Sequence, residues 1–352
     1  MKKVKIGIIG VGGIGKGRHL REMLQCADAD VVALCDIDPA RLEEARELAG
    51  LSKEQCYTDY RALIADANVE AVEVCTPNYL HAEMAIAVLN AGKYLNLEKP
   101  VAMNYREAIA ITEAERTSAA FGMTSFTYRF MPAVRYALHL MKDRIIGDVV
   151  GLNITYAKDS AFWEDRRLEW RFVKEYAASG VAGDLGVHLV DLAQILAGEI
   201  RELCAITETT IKERKTLDGR ATAPVETDDI CFFLARFQSG AVGTFHVTRS
   251  AIGHKNTIRY DVYGTKGSIS FLLNKQVPDS IILCTGEGDP KTFETKEIAV
   301  PKEFYLSQAQ GFVNAIKGER DAIFPTLSDG AQGQRVIDAI LDSAQQHRWV
   351  SL

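Results

Sequence analysis

Between Val4 and Thr127 the apolar positions alternate between two patterns. Short β-branched runs, beginning with Val4, Ile6, Ile8 and Ile9, have the continuous apolar character of strands buried on both faces. Similar runs predict strands at Val31–Cys35, Ala71–Cys75, Tyr94–Leu97 and Met123–Thr127. The stretches between them predict helices over Pro39–Ala49, Tyr60–Ala65 and Leu80–Ala91, and another from an Asn104 cap to Phe121. Gly50, Gly92 and Gly122 stand where such helices stop. Alternation of this kind implies a parallel sheet with right-handed crossovers.

After Pro132 the pattern changes. A helix is predicted over Ala133–Lys142 and a strand over Val149–Lys158. A loop with Phe162, Trp163, Trp170 and Arg171 follows, and then an apolar helix from Gly183 to Ala197. Strand-like runs come next, at Leu203–Ile211, Asp229–Phe237, Ala241–Ser250, Ile258–Tyr263, Ser268–Leu273 and Ser280–Cys284. Gly240, Gly264-Thr265-Lys266-Gly267 and Gly286 mark the turns. Helices over Phe304–Lys317 and Ser328–Gln346 close the chain. The expected fold is α/β: a parallel-sheet domain over 1–127, then an α/β domain over 128–352 with a large, mostly antiparallel open sheet. Two late helices are too few to cover both faces of that sheet. An uncovered apolar face implies a symmetric homo-oligomer, a dimer or a tetramer.

The length, 352 residues, agrees with about two domains. A net charge of −6 without a long basic run gives no support to nucleic-acid binding. No apolar stretch is expected to reach the roughly 18 residues of a membrane span. Met-Lys-Lys leads into a strand and glycines, not into the apolar segment of a signal peptide. Seven cysteines, an odd number without Cys-x-x-Cys spacing, point to a reducing cytoplasm with neither disulfides nor structural zinc.

The chemistry begins where the first strand ends. Gly10-Val11-Gly12-Gly13-Ile14-Gly15 follows a strand and opens a helix. Gly10 permits a tight turn, Gly12 lets the backbone approach a pyrophosphate, and Gly15 lets the helix pack closely on the strand. The first-turn N–H groups then face the phosphates. Asp36, at the end of the second strand, stands about twenty residues on, where a carboxylate hydrogen-bonds a ribose hydroxyl and repels a 2′-phosphate. This favours NAD; Arg41 nearby keeps NADP as a lesser alternative. Asp38-Pro39 reads as a helix cap, which leaves Asp36 for the ribose.

Ligands of such sheets bind beyond the carboxyl ends of the strands. Thr76, Pro77, Asn78 and His81 therefore stand where the nicotinamide ribose is expected, although a plain turn and helix cap explains them equally. Lys99 follows a strand between Glu98 and Pro100, extended by the proline and placed to polarise a hydroxyl. Taken alone, that tripeptide reads first as a surface ion pair. Asp184 and His188 are four residues apart, one turn on a helix. An imidazole of ordinary pKa near 6.5 exchanges protons at neutral pH, and a nearby carboxylate supports its charged form. The pair has no third metal ligand at convincing spacing.

Taken together, Gly10–Gly15, Thr76-Pro77-Asn78 with His81, Ala91-Gly92-Lys93, Glu98-Lys99-Pro100, Tyr128-Arg129-Phe130 and Gly183-Asp184-Leu185-Gly186-Val187-His188 follow the order and spacing of one family. Over its whole length the chain resembles the glucose–fructose oxidoreductase/inositol dehydrogenase family, Gfo/Idh/MocA. The resemblance implies a Rossmann domain, a second domain whose open sheet makes the oligomer interface, and a bound nicotinamide cofactor. It implies Lys99, Asp184 and His188 as the catalytic set. The cofactor residues expected are Gly10, Gly12, Gly13, Ile14, Gly15, Asp36, Thr76, Pro77, Asn78, His81, Glu98, Lys99 and Arg129. Tyr128, Arg129, Trp163, Trp170 and Arg171 join the catalytic set as candidates for substrate. The activity implied is oxidation of a ring hydroxyl of an inositol, sugar or glycoside with NAD. A redox-neutral conversion on tightly held NAD and a non-catalytic sugar-responsive protein are the alternatives.

Overall fold

A computed structural model describes residues 2–273, 279–286 and 288–352. The chain forms two compact units. One comprises residues 1–127 with Leu306–Gln332; the other comprises Tyr128–Tyr305 with Gly333–Leu352.

The first unit contains a six-stranded, wholly parallel sheet. Its strands are β1 (Val4–Ile9), β2 (Ala29–Cys35), β3 (Cys56–Tyr57), β4 (Ala71–Val74), β5 (Tyr94–Leu97) and β6 (Gly122–Thr124). Their order is β3-β2-β1-β4-β5-β6, so the order reverses between β1 and β4, where this architecture binds its ligands. Side chains of β1, β4 and β5 are buried almost throughout, as a sheet covered on both faces requires. The helices Pro39–Ala49 and Tyr60–Ala65 have the expected bounds, and Asp38 caps the first of them through Ala40 N and Arg41 N.

Gly122 departs from its expected role. The preceding helix ends at Thr117, and Gly122 opens β6 instead of closing the helix. A Cβ there would lie 2.3 Å from Leu327 Cδ1. The missing side chain is what admits a late segment, which the sequence assigned to the second domain. Leu306–Gln332 belongs to the first unit, where Thr124 N donates to Pro325 O (2.9 Å) and Thr124 Oγ1 donates to Thr326 O (2.8 Å). Leu327 and Ala331 join its apolar core. The helix Leu327–Gln346 gives its first turns to this unit and the rest to the other.

The second unit is built on a nine-stranded sheet. Its members are β7 (Val149–Ala157), β8 (Ile200–Glu208), β11 (Ile230–Phe237), β12 (Val242–Thr248), β13 (Thr257–Gly264), β14 (Gly267–Leu273), β15 (Ser280–Thr285), β16 (Thr295–Ala299) and β17 (Val350–Ser351). The order β16-β15-β14-β13-β7-β12-β11-β8-β17 is antiparallel except at β7–β12. A separate hairpin pairs β9 (Glu213–Lys215) with β10 (Thr222–Pro224). The sequence pattern did not predict this hairpin, β16 or β17, because these are short and mostly polar. Along β11 the residues Cys231, Phe233, Ala235 and Phe237 are buried and their alternates face outward. The strand registers place Ile206, Leu234, Val242, Tyr263, Leu272 and Ile282 together on the outward face, all exposed.

One expectation about membranes is corrected. The helical run Lys174–Ala197 is long and apolar enough, by length and composition, to cross a membrane. Its apolar window is 83% buried inside the protein, so the run is the core helix of the second unit. Buried charge also shapes this unit. Asp229 is inaccessible; its Oδ1 accepts from Arg249 Nε (2.8 Å) and its Oδ2 from Thr210 N (2.9 Å). Removing the cation from such a pair leaves an uncompensated buried charge. Arg249→Met should therefore destabilise the protein by about 3–5 kcal/mol. Urea denaturation checks this; a loss of only about 1 kcal/mol, typical of an exposed pair, contradicts it.

Candidate functional site

The glycine turn separates into positions the fold demands and positions it leaves open. Gly10 has a positive φ of 86°, and a Cβ there would touch the Cys75 carbonyl. At Gly15 a Cβ would fall 1.9 Å from Gly10 O, so the helix lies against β1 only because Gly15 has no side chain. At Gly12 and Gly13 a Cβ would meet nothing within 4 Å. No contact within the protein requires these two glycines. They leave an open cradle beside the first turn of the helix, as a pyrophosphate needs. Lys16 N donates to Gly12 O (2.9 Å), and the N–H groups ahead of it belong to the helix's first turn. Ile14 sits partly exposed in that turn. The helix then widens into a π turn over Gly15–Leu20, a deviation frequent at functional sites.

Asp36 closes the cradle. Its Oδ2 accepts from Val11 N (2.9 Å) and its Oδ1 from Asp38 N (2.9 Å). A carboxylate accepts about four hydrogen bonds, so each oxygen keeps acceptor capacity for a ribose hydroxyl. Arg41, the residue that kept NADP in view, lies against Asp38 at 3.2 Å. The neighbouring Ile37 is 86% exposed and offers an apolar face beside Asp36. The sequence reading passed over it; its signal was an apolar residue in the polar turn after β2.

At the ends of β4 and β5 the expectations divide. Thr76 and Pro77 follow β4, and Asn78 opens a short 3-10 turn, Asn78–Leu80. His81 is buried; its Nδ1 lies 2.7 Å from Pro100 O and its Nε2 2.8 Å from Thr76 O. Both ring nitrogens face backbone carbonyls, and the one N–H of a neutral ring donates to one of them. Burial holds its pKa below the usual imidazole range, against the pull of those carbonyls. Glu98 is also turned inward. Its Oε1 lies 2.8 Å from His19 Nε2, and its Oε2 accepts from Lys99 N (3.1 Å). It thereby bonds the main chain of Lys99. Lys99 is half-buried, and its peptide to Pro100 is cis.

In the second unit, Asp184 lies within a π turn, Ala182–Gly186, that leads into the helix Val187–Ala197. Asp228 holds the start of this run, accepting from Gly180 N (2.7 Å) and Ala182 N (2.8 Å). His188 stands in the first turn beyond, 7% exposed. Its ring meets Tyr128 edge-on at 4.7 Å. Tyr128 and Tyr156 share a hydrogen bond (2.7 Å), and Tyr156 donates onward to Asn256 Oδ1 (2.9 Å). Burial, then Tyr128 and the Asp184 charge, push the Tyr156 phenol well above its usual range. Tyr156 was missed because its alternation with Leu152 and Ile154 reads simply as core.

Arg129 and Tyr128, candidates for the ligands, are both buried. Arg129 Nε reaches both Asp191 oxygens (3.1 and 3.0 Å), so its charge is committed to the scaffold. Trp163, Trp170 and Arg171 share one loop. Trp163 is 45% exposed, and Arg171 stacks over Trp170 at 4.4 Å. The buried Arg214 braces this loop from β9, donating to Trp163 O (2.8 Å) and Arg166 O (3.0 Å) and lying 4.4 Å over Phe172. Among the described residues no cluster of metal-ligating side chains occurs.

Comparison with known proteins places these features. A family described as oxidoreductases with an NAD-binding Rossmann fold matches residues 4–125, and the GFO/IDH/MocA C-terminal domain matches residues 134–270. The chain is 31% identical to the levoglucosan dehydrogenase of Pseudarthrobacter phenanthrenivorans, over 100% of this chain and 99% of that protein. It is 28% identical to the myo-inositol 2-dehydrogenase of Thermotoga maritima, over 99% and 98% of the two chains. A solved structure of levoglucosan dehydrogenase in complex with NADH and levoglucosan superposes with a TM-score of 0.89, at 30% identity and 99% coverage of each chain. The chain belongs to the GFO/IDH/MocA family of oxidoreductases, and its cofactor is NAD.

Proposed function

We propose that this protein oxidises a secondary ring hydroxyl of a cyclic polyol or sugar to a ketone, reversibly and with NAD. The observation that carries this reading is the full-length likeness to a levoglucosan dehydrogenase at 31% identity. Levoglucosan, inositols, free sugars and glycosides are the first substrates to screen, with NADH formation followed by absorbance. Failure of the whole panel to support turnover contradicts the reading. A relative named 2,7-anhydro-N-acetylneuraminate hydratase, 28% identical over 76% of this chain, supports a second reading: a redox-neutral conversion on NAD that stays bound. Cofactor stoichiometry after desalting separates the two.

The cofactor, when bound, supplies the hydride acceptor. Gly10, Gly12, Gly13, Ile14 and Gly15 would hold its pyrophosphate, Asp36 its adenosine ribose, and Ile37 would lie against its adenine. Thr76, Pro77 and Asn78 would border the nicotinamide end. His188 takes the hydroxyl proton, Asp184 stabilises the imidazolium that results, and Lys99 hydrogen-bonds the reacting oxygen. Trp163, Trp170 and Arg171 give the substrate apolar ring faces and hydrogen-bond donors. The protein would work in the cytoplasm.

Three outcomes test these assignments. NAD should bind more tightly than NADP, and Asp36→Ser should narrow the gap; equal affinities in the unmodified protein would remove Asp36 from the ribose. His188→Ala should lower turnover by roughly 10²–10⁴-fold, and Lys99→Ala should lower it too, with NAD affinity little changed. Asp184→Asn should keep the geometry but weaken support for protonated His188. Steady-state kinetics beside NAD titration gives the answer; near-parental turnover in both the His188 and Lys99 variants sinks the mechanism.

The exposed apolar side chains on the outward face of the large sheet fit a homo-oligomer interface, either a dimer or a tetramer. Light scattering at micromolar concentration should find an assembly, and Leu234→Lys should weaken it. A monomeric parent protein would be the contrary result.

A further inference from the structure

His19 is among the buried titratable groups that the proposed chemistry leaves unused. It sits in the π turn that follows the glycine turn and is 3% exposed. Its Nε2 lies 2.8 Å from Glu98 Oε1, and its Nδ1 lies 3.4 Å from Glu73 Oε2. A neutral imidazole has one N–H and would turn a lone pair towards one of these carboxylates. With both nitrogens protonated, Nε2 donates to Glu98, and the positive ring lies within ion-pair distance of Glu73 on its Nδ1 side without a hydrogen bond to it. Burial opposes this charge, while Cys75 and Glu73 pull the imidazole upward, to well above its usual range. Burial pushes the Cys75 thiol itself up to about 11, so at neutral pH the charges that favour an imidazolium are those of the two carboxylates beside the ring. Glu98 responds in the opposite sense. Burial works to raise its pKa, yet the His19 hydrogen bond and charge, with Lys99 and Arg18 beyond, bring it to about 2. The groups facing this centre are thus Glu73 and Cys75 from β4 and its end, Glu98 and Lys99 from the end of β5, and Arg18 from its own turn.

The clamp continues on both sides. Glu98 Oε2 accepts from the backbone N–H of Lys99 (3.1 Å). Glu73 Oε1 accepts from Asn96 Nδ2 (2.6 Å), Asn96 Oδ1 from Ser125 Oγ (2.8 Å), and Ser125 Oγ from Gln308 Nε2 (3.1 Å). Hydrogen bonds thus run from Gln308 to Glu73 on one side and from His19 through Glu98 to the main chain of Lys99 on the other, and the two segments meet at the His19–Glu73 ion pair. The central link, His19, comes from the helix that the glycine turn opens.

We propose that His19 is a positioning residue: an imidazolium clamped between Glu73 and Glu98 that fixes the backbone from which Lys99 acts. This inference rests on the assignment of Lys99 to the chemistry. The test uses the full-length protein with NAD and levoglucosan, or the best substrate of the sugar screen, in a double-mutant cycle of His19→Gln and Lys99→Met. His19→Gln should lower kcat about ten- to hundredfold, the cost of a small displacement of a reacting group, while KM and the Kd for NAD change little. In the Lys99→Met background the same substitution should cost nothing further. A parental kcat in Lys99→Met overturns the assignment of Lys99, and the inference falls with it. A clear loss in Lys99→Met, with His19→Gln either silent or fully additive to it, leaves that assignment standing and overturns the role of His19. Nitrogen-15 NMR of the unmodified protein, labelled at histidine, is independent of how the variants fold. It should show both His19 nitrogens protonated at neutral pH; a single protonated nitrogen overturns the clamp.

Discussion

The first unit depends on how closely one helix approaches one strand. A Cβ on Gly15 would fall 1.9 Å from the Gly10 carbonyl oxygen, so the approach exists only without a side chain. That closeness sets the line of the helix. It leaves Gly12 and Gly13 facing open space, and one turn later it delivers His19 between two buried carboxylates. The surface proposed to cradle a phosphate and the interior proposed to steady Lys99 are thus two sides of the same turn. Two carboxylates inside a parallel sheet would be costly if unpaired. An imidazolium between them offsets that cost, and the arrangement serves geometry better than it serves net stability.

The second unit solves a different problem. A large sheet covered on one face must carry a loop rich in polar residues. The loop around Trp163 and Trp170 has only a small apolar centre, Ala161, Phe172 and Val225 with Leu168 against it. Buried arginines make up the difference. Arg214 satisfies several carbonyl groups of the loop at once, and Arg166, Arg214 and Arg249 gather around the Phe172 ring. A guanidinium suits this work because its planar fork bonds in several directions while its faces stack. The exposed tryptophan and the stacked Trp170–Arg171 pair are therefore presented from a loop whose interior is cross-linked by buried arginines.

Several residues expected to touch ligands also bond to neighbouring parts of the scaffold. His81 faces the Thr76 and Pro100 carbonyls, Glu98 bonds the Lys99 main chain, and Arg129 pairs with Asp191. Spacing along the chain does not distinguish contact from support, because a residue that binds and a residue that braces share the same local pattern.

The sequence by itself determined the alternation of strands and helices before Thr127 except the two-residue β3, together with the glycine turn, the Asp38 cap and the strand-end positions of Asp36 and Lys99. These follow from local physics: period, capping chemistry and the φ values open to glycine. It also placed Asp184 and His188 one turn apart, since both lie on one continuous helical run. Only the tertiary structure decided that Leu306–Gln332 belongs with the first unit, because the space left by Gly122 is filled by Leu327 from far along the chain. Only it showed His19 facing Glu73 and Glu98, Arg214 inside the loop, and Tyr156 behind Tyr128 and His188. The reason is the same in each case. A side chain's charge state and orientation are set by partners distant in sequence, and nothing in the local pattern names them.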